Sequence, residues 1–278
     1  MPLIFLHSGT SVTWGSWVFE PSVVGGALAV SALYLFGLRH ARAALEWWRP
    51  LAFFAGAALI FLALASPLDA ASDQLLSMHM LQHIVLSTIG PPLVLLGLPS
   101  AALRRLLPEG SLPFRAIARV TVPFVAAAVF IVNMWFWHIP FVYEAALTDL
   151  GVHITMHIAF LATGLLFWWP IVAPLPEMST AGPGARLLYL FVTGFPMGIL
   201  ALLLLSAQTI VYGFYETQPS RLWGISALED QQVAGVIMGG LGEATSFIAF
   251  SLIFVRYLLN DQEELAASAA QSAEHTAR

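Results

Sequence analysis

Seven apolar stretches organise the chain, at about residues 22–38, 51–68, 75–98, 120–137, 152–172, 187–207 and 232–257. A bilayer hydrocarbon core about 30 Å thick needs roughly 20 apolar residues in helical form, and the stretches have about that length. Their polar residues do not recur at every second position, as lipid-facing strands require, so the stretches are predicted as helices rather than a barrel. The expected fold is an all-α integral membrane protein with about seven transmembrane helices in one domain, 1–259. The segment 260–278, rich in Ala, Ser, Gln and Glu, is expected to be a disordered or frayed helical tail. The start, MPLIFLHSG, is apolar but lacks a basic onset and a small-residue cleavage site, so it is not read as a signal peptide.

Against this background the polar positions carry information. His79 and His83 (SMHMLQH) and His153 and His157 (VHITMH) form two pairs with the same four-residue spacing, each at the start of a predicted span. Residues four apart on a helix differ by about 40° in direction, so each pair can aim two ring nitrogens at one point. An imidazole is costly in hydrocarbon without a partner, so the four together point to a bound ion or cofactor. Met156 follows His153 by three residues, and Met78 and Met80 flank His79; thioethers suit soft Cu(I), although methionine also fills gaps in any helical bundle. His138, in WHIP at the end of the fourth span, and His7 are ordinary interfacial residues when taken singly. Glu243 falls near the middle of the seventh span, where a carboxylate is either functional or a protonated group bonded to Asn133, Ser246 or a carbonyl.

Composition and charge set the environment. The chain is 59% hydrophobic and 10% charged, with a mean hydropathy of +0.81, which excludes an ordinary soluble domain. All 11 basic residues are arginines, and ten of them lie in or beside the segments after the first, third and fifth spans or beyond the seventh; Arg221 is the exception. The positive-inside rule then places the N-terminus outside and the C-terminus in the cytoplasm. Both histidine pairs and His138 fall near the outer face, alongside Glu20, Asp69, Asp73, Glu144, Asp149, Glu216, Glu229 and Asp230, whose negative potential favours an arriving cation. The chain has no cysteine, which leaves histidine and methionine as the soft donors. Residues 99–119 form a basic, proline-broken loop suited to anionic lipid or simply to fixing topology. Trp135, Trp137, Trp168, Trp169 and Trp223, near span ends, are expected as interface anchors. No phosphate-binding glycine loop, hydrolase triad, HEXXH motif or nucleic-acid-binding signature is present.

The strings SMHMLQHIVLSTIGPPLVLLGLP, WHIPFVYEAAL, VHITMHIAFLATGLLFWWP and EDQQVAGVIM, with WVFEP at 17–21 and YLFG at 34–37, resemble the CtaG-type cytochrome c oxidase assembly factors, seven-helix bacterial membrane proteins linked to copper insertion. The resemblance extends over nearly all seven spans. It implies functional positions at His79, Gln82, His83, His138, His153, His157, Asp230, Gln231 and Gln232; a carboxylate at Glu243 departs from that pattern.

The expected function is therefore a copper-binding, non-enzymatic factor of the bacterial cytoplasmic (inner) membrane that serves assembly of a terminal cytochrome c oxidase. His79, His83, His153 and His157 would hold the metal, with His138 and Met156 as further ligands. Gln82, Asp230, Gln231 and Gln232 would orient the imidazoles by hydrogen bonds. An oxidase subunit or a periplasmic copper carrier is the expected partner. The alternatives are a bis-histidine haem protein, with one axial ligand from each pair, and a metal or solute transporter using Glu243.

Overall fold

The computed structural model describes residues 12–40, 46–218 and 222–276. His7, and Arg42, Arg221 and Arg278 of the charge pattern, lie outside them, as do the side chains of His40 and His275. Among the described residues every regular element is helical. Among these residues six helices are long and apolar enough to cross a membrane, or seven if one bent pair is counted as a span. They are α1 (Pro21–His40), α2 (Trp48–Ala65), α3 (Leu76–Gly97), α4 (Pro123–Trp137), α5 (Leu150–Val172), α6 (Pro183–Ser206) and α7 (Ala227–Glu263).

Two boundaries differ from the sequence pattern. The fourth span begins at Pro123 because proline lacks the N–H of a continuing helix and holds Val122 in an extended conformation (ψ 130°). The preceding basic segment is not a plain loop: Leu112–Val120 is an amphipathic helix set at 69° to α4, with Arg115 and Arg119 exposed. At the other end, the backbone after α7 stays helical to Thr276. Alanine, glutamate and glutamine are strong helix formers, and a helix already begun in the membrane elongates through them without a new nucleus.

The spans meet where side chains are smallest, the usual device when lipid gives no hydrophobic drive for association. A Cβ on Gly164 of α5 would lie 2.5 Å from the Ser87 carbonyl of α3, so these backbones touch directly. Gly235 brings α7 equally close to α6 at Leu205. The inner layer holds Phe130, Phe160, Phe167 and Trp168, with Tyr189 donating to the Phe167 carbonyl at 2.8 Å. Trp168 and Trp137 belong to this core, at 2% and 6% exposure, and are not interface anchors; Trp137 Nε1 donates to Asn133 at 3.1 Å. Trp135 and Trp223 are on the surface.

One end of the bundle is tied by arginine. Arg104, after α3, makes a two-pronged bond to Glu177, after α5, at 2.8 and 3.2 Å. Arg186 of α6 donates to the Ala181 and Ile171 carbonyls and to Ser179 at that end. The histidine pairs occupy the opposite end, at the first turns of α3 and α5.

Candidate metal centre

The start of α3 is fixed from outside the helix. Leu75 is extended, and the N–H groups of Leu76 and Ser77, which have no acceptor within the helix, donate to the buried carboxylate of Asp230 in α7, at 2.7 and 3.1 Å; the Ser77 hydroxyl donates to it as well. An anion accepting the first N–H groups does the work of an N-cap and opposes the helix dipole. Asp149 caps α5 in the ordinary way, accepting from Val152 N at 2.9 Å. Just below His83, residues Val85–Ile89 widen into a π-helical turn, and Ser87 Oγ donates to the His83 carbonyl at 2.7 Å.

These anchors bring the two pairs together. His79 and His83 stack edge to face at 4.4 Å between centroids, His153 and His157 at 4.3 Å, and across the interface His83 to His157 is 5.6 Å and His79 to His153 is 5.5 Å. One ring nitrogen each of His79, His83 and His157 lies within 4.8 Å of the other two. Metal–nitrogen bonds of about 2 Å at a tetrahedral angle need nitrogens about 3.3 Å apart, which modest ring rotation supplies.

Hydrogen bonds set which nitrogen is presented. A backbone carbonyl can only accept, so His153 Nδ1 donates to Ala146 at 3.2 Å and His138 Nδ1 donates to Met134 at 2.7 Å. The Tyr215 hydroxyl spends its one proton on the Ser72 carbonyl at 3.2 Å and therefore accepts from His79 Nδ1 at 3.0 Å. A proton held at Nδ1 leaves the lone pair at Nε2. Buried Nε2 atoms of His79, His83, His138 and His157 have no partner among the described residues, and neither has Nδ1 of His83. Unpaired buried nitrogens are costly, and a ligated ion removes that cost.

Not every expected residue joins this group. His138 lies on a cavity beside His83 rather than in the trio. Met156 is fully buried in the apolar core. The polar neighbours act differently from the expectation that they orient imidazoles: Asp230 holds the start of α3, Gln82 donates to the Ala63 carbonyl and to Asp69, both at 2.8 Å, Gln231 bonds Val211 N and the Thr209 carbonyl, and Gln232 bonds the Ala207 carbonyl. Long amides at a helix start reach the adjoining turns more readily than a ring one helix away. Asn133 is bonded to Thr163 and Trp137 instead of Glu243.

The His79 imidazole is held instead by Tyr215, which the sequence reading missed, while His138 and His153 are held by backbone carbonyls. Tyr143 and Tyr215 pair through their hydroxyls at 3.2 Å, and Tyr212 donates to the His138 carbonyl at 3.0 Å. All three are nearly fully buried, and a buried phenol must find a partner. Near the rim of the site, burial raises the Asp69 carboxyl to about 6, aided by Glu20 and opposed by its bond from Gln82; burial and the neighbouring Asp69 raise Asp73 to about 7.

Known proteins match this chain over most of its length. It is 24% identical over 264 residues to an uncharacterized protein of Mycobacterium bovis, and equally to one of Mycobacterium tuberculosis; the alignments cover 88% of this chain and 40% of each relative, so the chain spans less than half their length. No solved structure matches it. Residues 32–259, from within α1 to the membrane part of α7, match the family described as cytochrome c oxidase caa3 assembly factor. That match covers the helices that build the histidine cluster and the anchors that hold it, and the chain belongs to the cytochrome c oxidase caa3 assembly factor family.

Proposed function

We propose that the protein binds copper at His79, His83 and His157, with His153 and His138 as neighbouring exchange ligands, and delivers it during assembly of a terminal cytochrome c oxidase. The observation that carries this reading is the convergence of three imidazole nitrogens within 4.8 Å, from two helices whose starts are separately capped. Neutral imidazole is a good copper donor, and copper stands at the top of the divalent affinity order for nitrogen sites. The edge-to-face packing of the rings supports a single ion over a porphyrin, which needs a flat slot between two axial imidazoles. In this reading the protein sits in the cytoplasmic membrane with its N-terminus outside and its C-terminus inside, the site near the outer face, and an oxidase subunit or a periplasmic copper carrier as partner. Its role is to bind and transfer, without catalysis.

The test is metal content of the purified protein against His83→Ala and His157→Ala variants. Copper is expected in the first and a marked loss in the others, with the variants still present in the membrane. Equal, negligible copper in all of them, under reducing and oxidising conditions alike, would sink the reading.

A further inference from the structure

Behind the trio lies a cavity of about 50 Å³. That is room for an ion or a few water molecules, since one water occupies about 10–15 Å³ on this measure. Met80 of α3, Met134 of α4, Met197 of α6 and Met238 of α7 all line it. Half of the eight methionines in the chain thus converge on one small space, each from a different helix. His83 and His138 line the same cavity, at 2% and 6% exposure, each with a buried nitrogen that none of the described residues bonds. Glu243 is the one acidic residue of the lining. None of the described residues hydrogen-bonds its carboxylate, although Gly194 leaves it space, with a Cβ there falling 2.9 Å from Oε2. A second π-helical turn, Met238–Gly242, immediately precedes Glu243, so widened turns of α3 and α7 both border the cavity. Such turns are frequent where a helix serves a ligand.

We propose that this cavity is a second metal site, specific for a soft monovalent cation such as Cu(I), with methionine thioethers and the His83 and His138 imidazoles as donors and Glu243 as counter-charge. Methionine packing would explain one or two sulfurs in a core. Four around one cavity that also takes two imidazoles with unpartnered nitrogens and a carboxylate into its lining fit a cation better. Thioether and imidazole donors select Cu(I) over harder ions. A single positive charge in an apolar interior needs a negative partner, which Glu243 supplies. His83 belongs to both the trio and the cavity. Neither of its nitrogens is engaged, and a neutral ring has one lone pair at a time, so it serves one site or the other. This makes it the residue through which an ion passes between them. The inference rests on the copper reading above and adds a second site to it.

Anaerobic titration of the purified full-length protein with Cu(I) against a chromophoric chelator, with X-ray absorption at the copper edge, tests it. Two equivalents are expected, with a sulfur shell in the wild-type spectrum. Replacing Met80, Met134, Met197 and Met238 together with leucine, a volume-conserving change, should remove one equivalent and the sulfur shell. Glu243→Gln should weaken that equivalent at least tenfold. His157→Ala should spare the sulfur-bound equivalent and remove the other. A single nitrogen-bound equivalent in the wild type would overturn the second site and leave the trio standing, and this result needs no variant to fold. A sulfur-bound equivalent alone would do the reverse, and no bound copper would overturn both.

Discussion

At the residue scale, the rim carboxylates give the fold a pH dependence of known sign. Asp73 titrates near 7 and Asp69 near 6 in the folded protein, both above the ordinary 3.8. Between about pH 4 and 7 the native state therefore holds protons that the unfolded chain has released, and stability falls as pH rises through this window. Burial is the first cause for both, so removing the charge removes the cost. Asp73→Asn should flatten the decline of Tm between pH 4 and 8 and raise Tm at pH 8 by about 2–4 °C, the size expected for roughly 1 kcal/mol in a chain of this length. Thermal unfolding in detergent, followed by circular dichroism, reads this directly. A variant with the wild-type slope would mean that Asp73 is charged and solvated in the native protein. The same raised carboxyls bear on function, because a protonated rim attracts copper less than a charged one; metal loading should improve from pH 6 to 8.

At the scale of elements, the distance between α3 and α5 decides whether the rings form a site at all. Ser87 and Gly164 set that distance, one turn below His83 and about two turns below His157. Gly164→Val should push the two helices apart, cost about 1–3 kcal/mol through overpacking and lower copper retention. Gly182→Ala, at a position with nothing within 4 Å, should change neither and serves as the control. Wild-type copper retention in a folded Gly164→Val protein would show that the rings reach one another without this contact. The pairing of α3 with α5 was legible in the sequence because equal spacing at equal depth leaves few other ways to satisfy four imidazoles. The seven stretches were legible because lipid imposes a length that few other constraints can imitate. The bend before Pro123 was not: an apolar run gives no direction, and only the proline marked the break. Tyr215 was hidden for a different reason, since a tyrosine in a polar loop reads the same whether it is wet or buried under an imidazole. Trp137 and Trp168 misled in the opposite sense, because position near a span end does not reveal which way a side chain faces.

At the scale of the molecule, orientation determines what the site can serve. The arginine end is joined by the Arg104–Glu177 bond and by Arg186, and the histidine end carries Asp69, Asp73 and Glu144, so the two ends differ in charge as well as chemistry. Translocating arginine is costly and the short loops offer no domain to override that cost, so the arginine end is expected in the cytoplasm. Copper would then be taken and given on the outer side, where an acidic rim draws a cation to a cluster lying only a turn or two below it. The chain contains no cysteine, so single thiols can be introduced without background. Glu109→Cys, beside the helix Leu112–Val120, should react with an impermeant maleimide only after the membrane is opened, and Thr217→Cys, beside Tyr215, should react in intact cells; both positions are exposed. The reverse pattern would invert the topology. It would leave the geometry of the trio untouched but turn its mouth to the cytoplasm, where reduced thiol carriers hold copper, and delivery to an oxidase subunit from outside would no longer be its function.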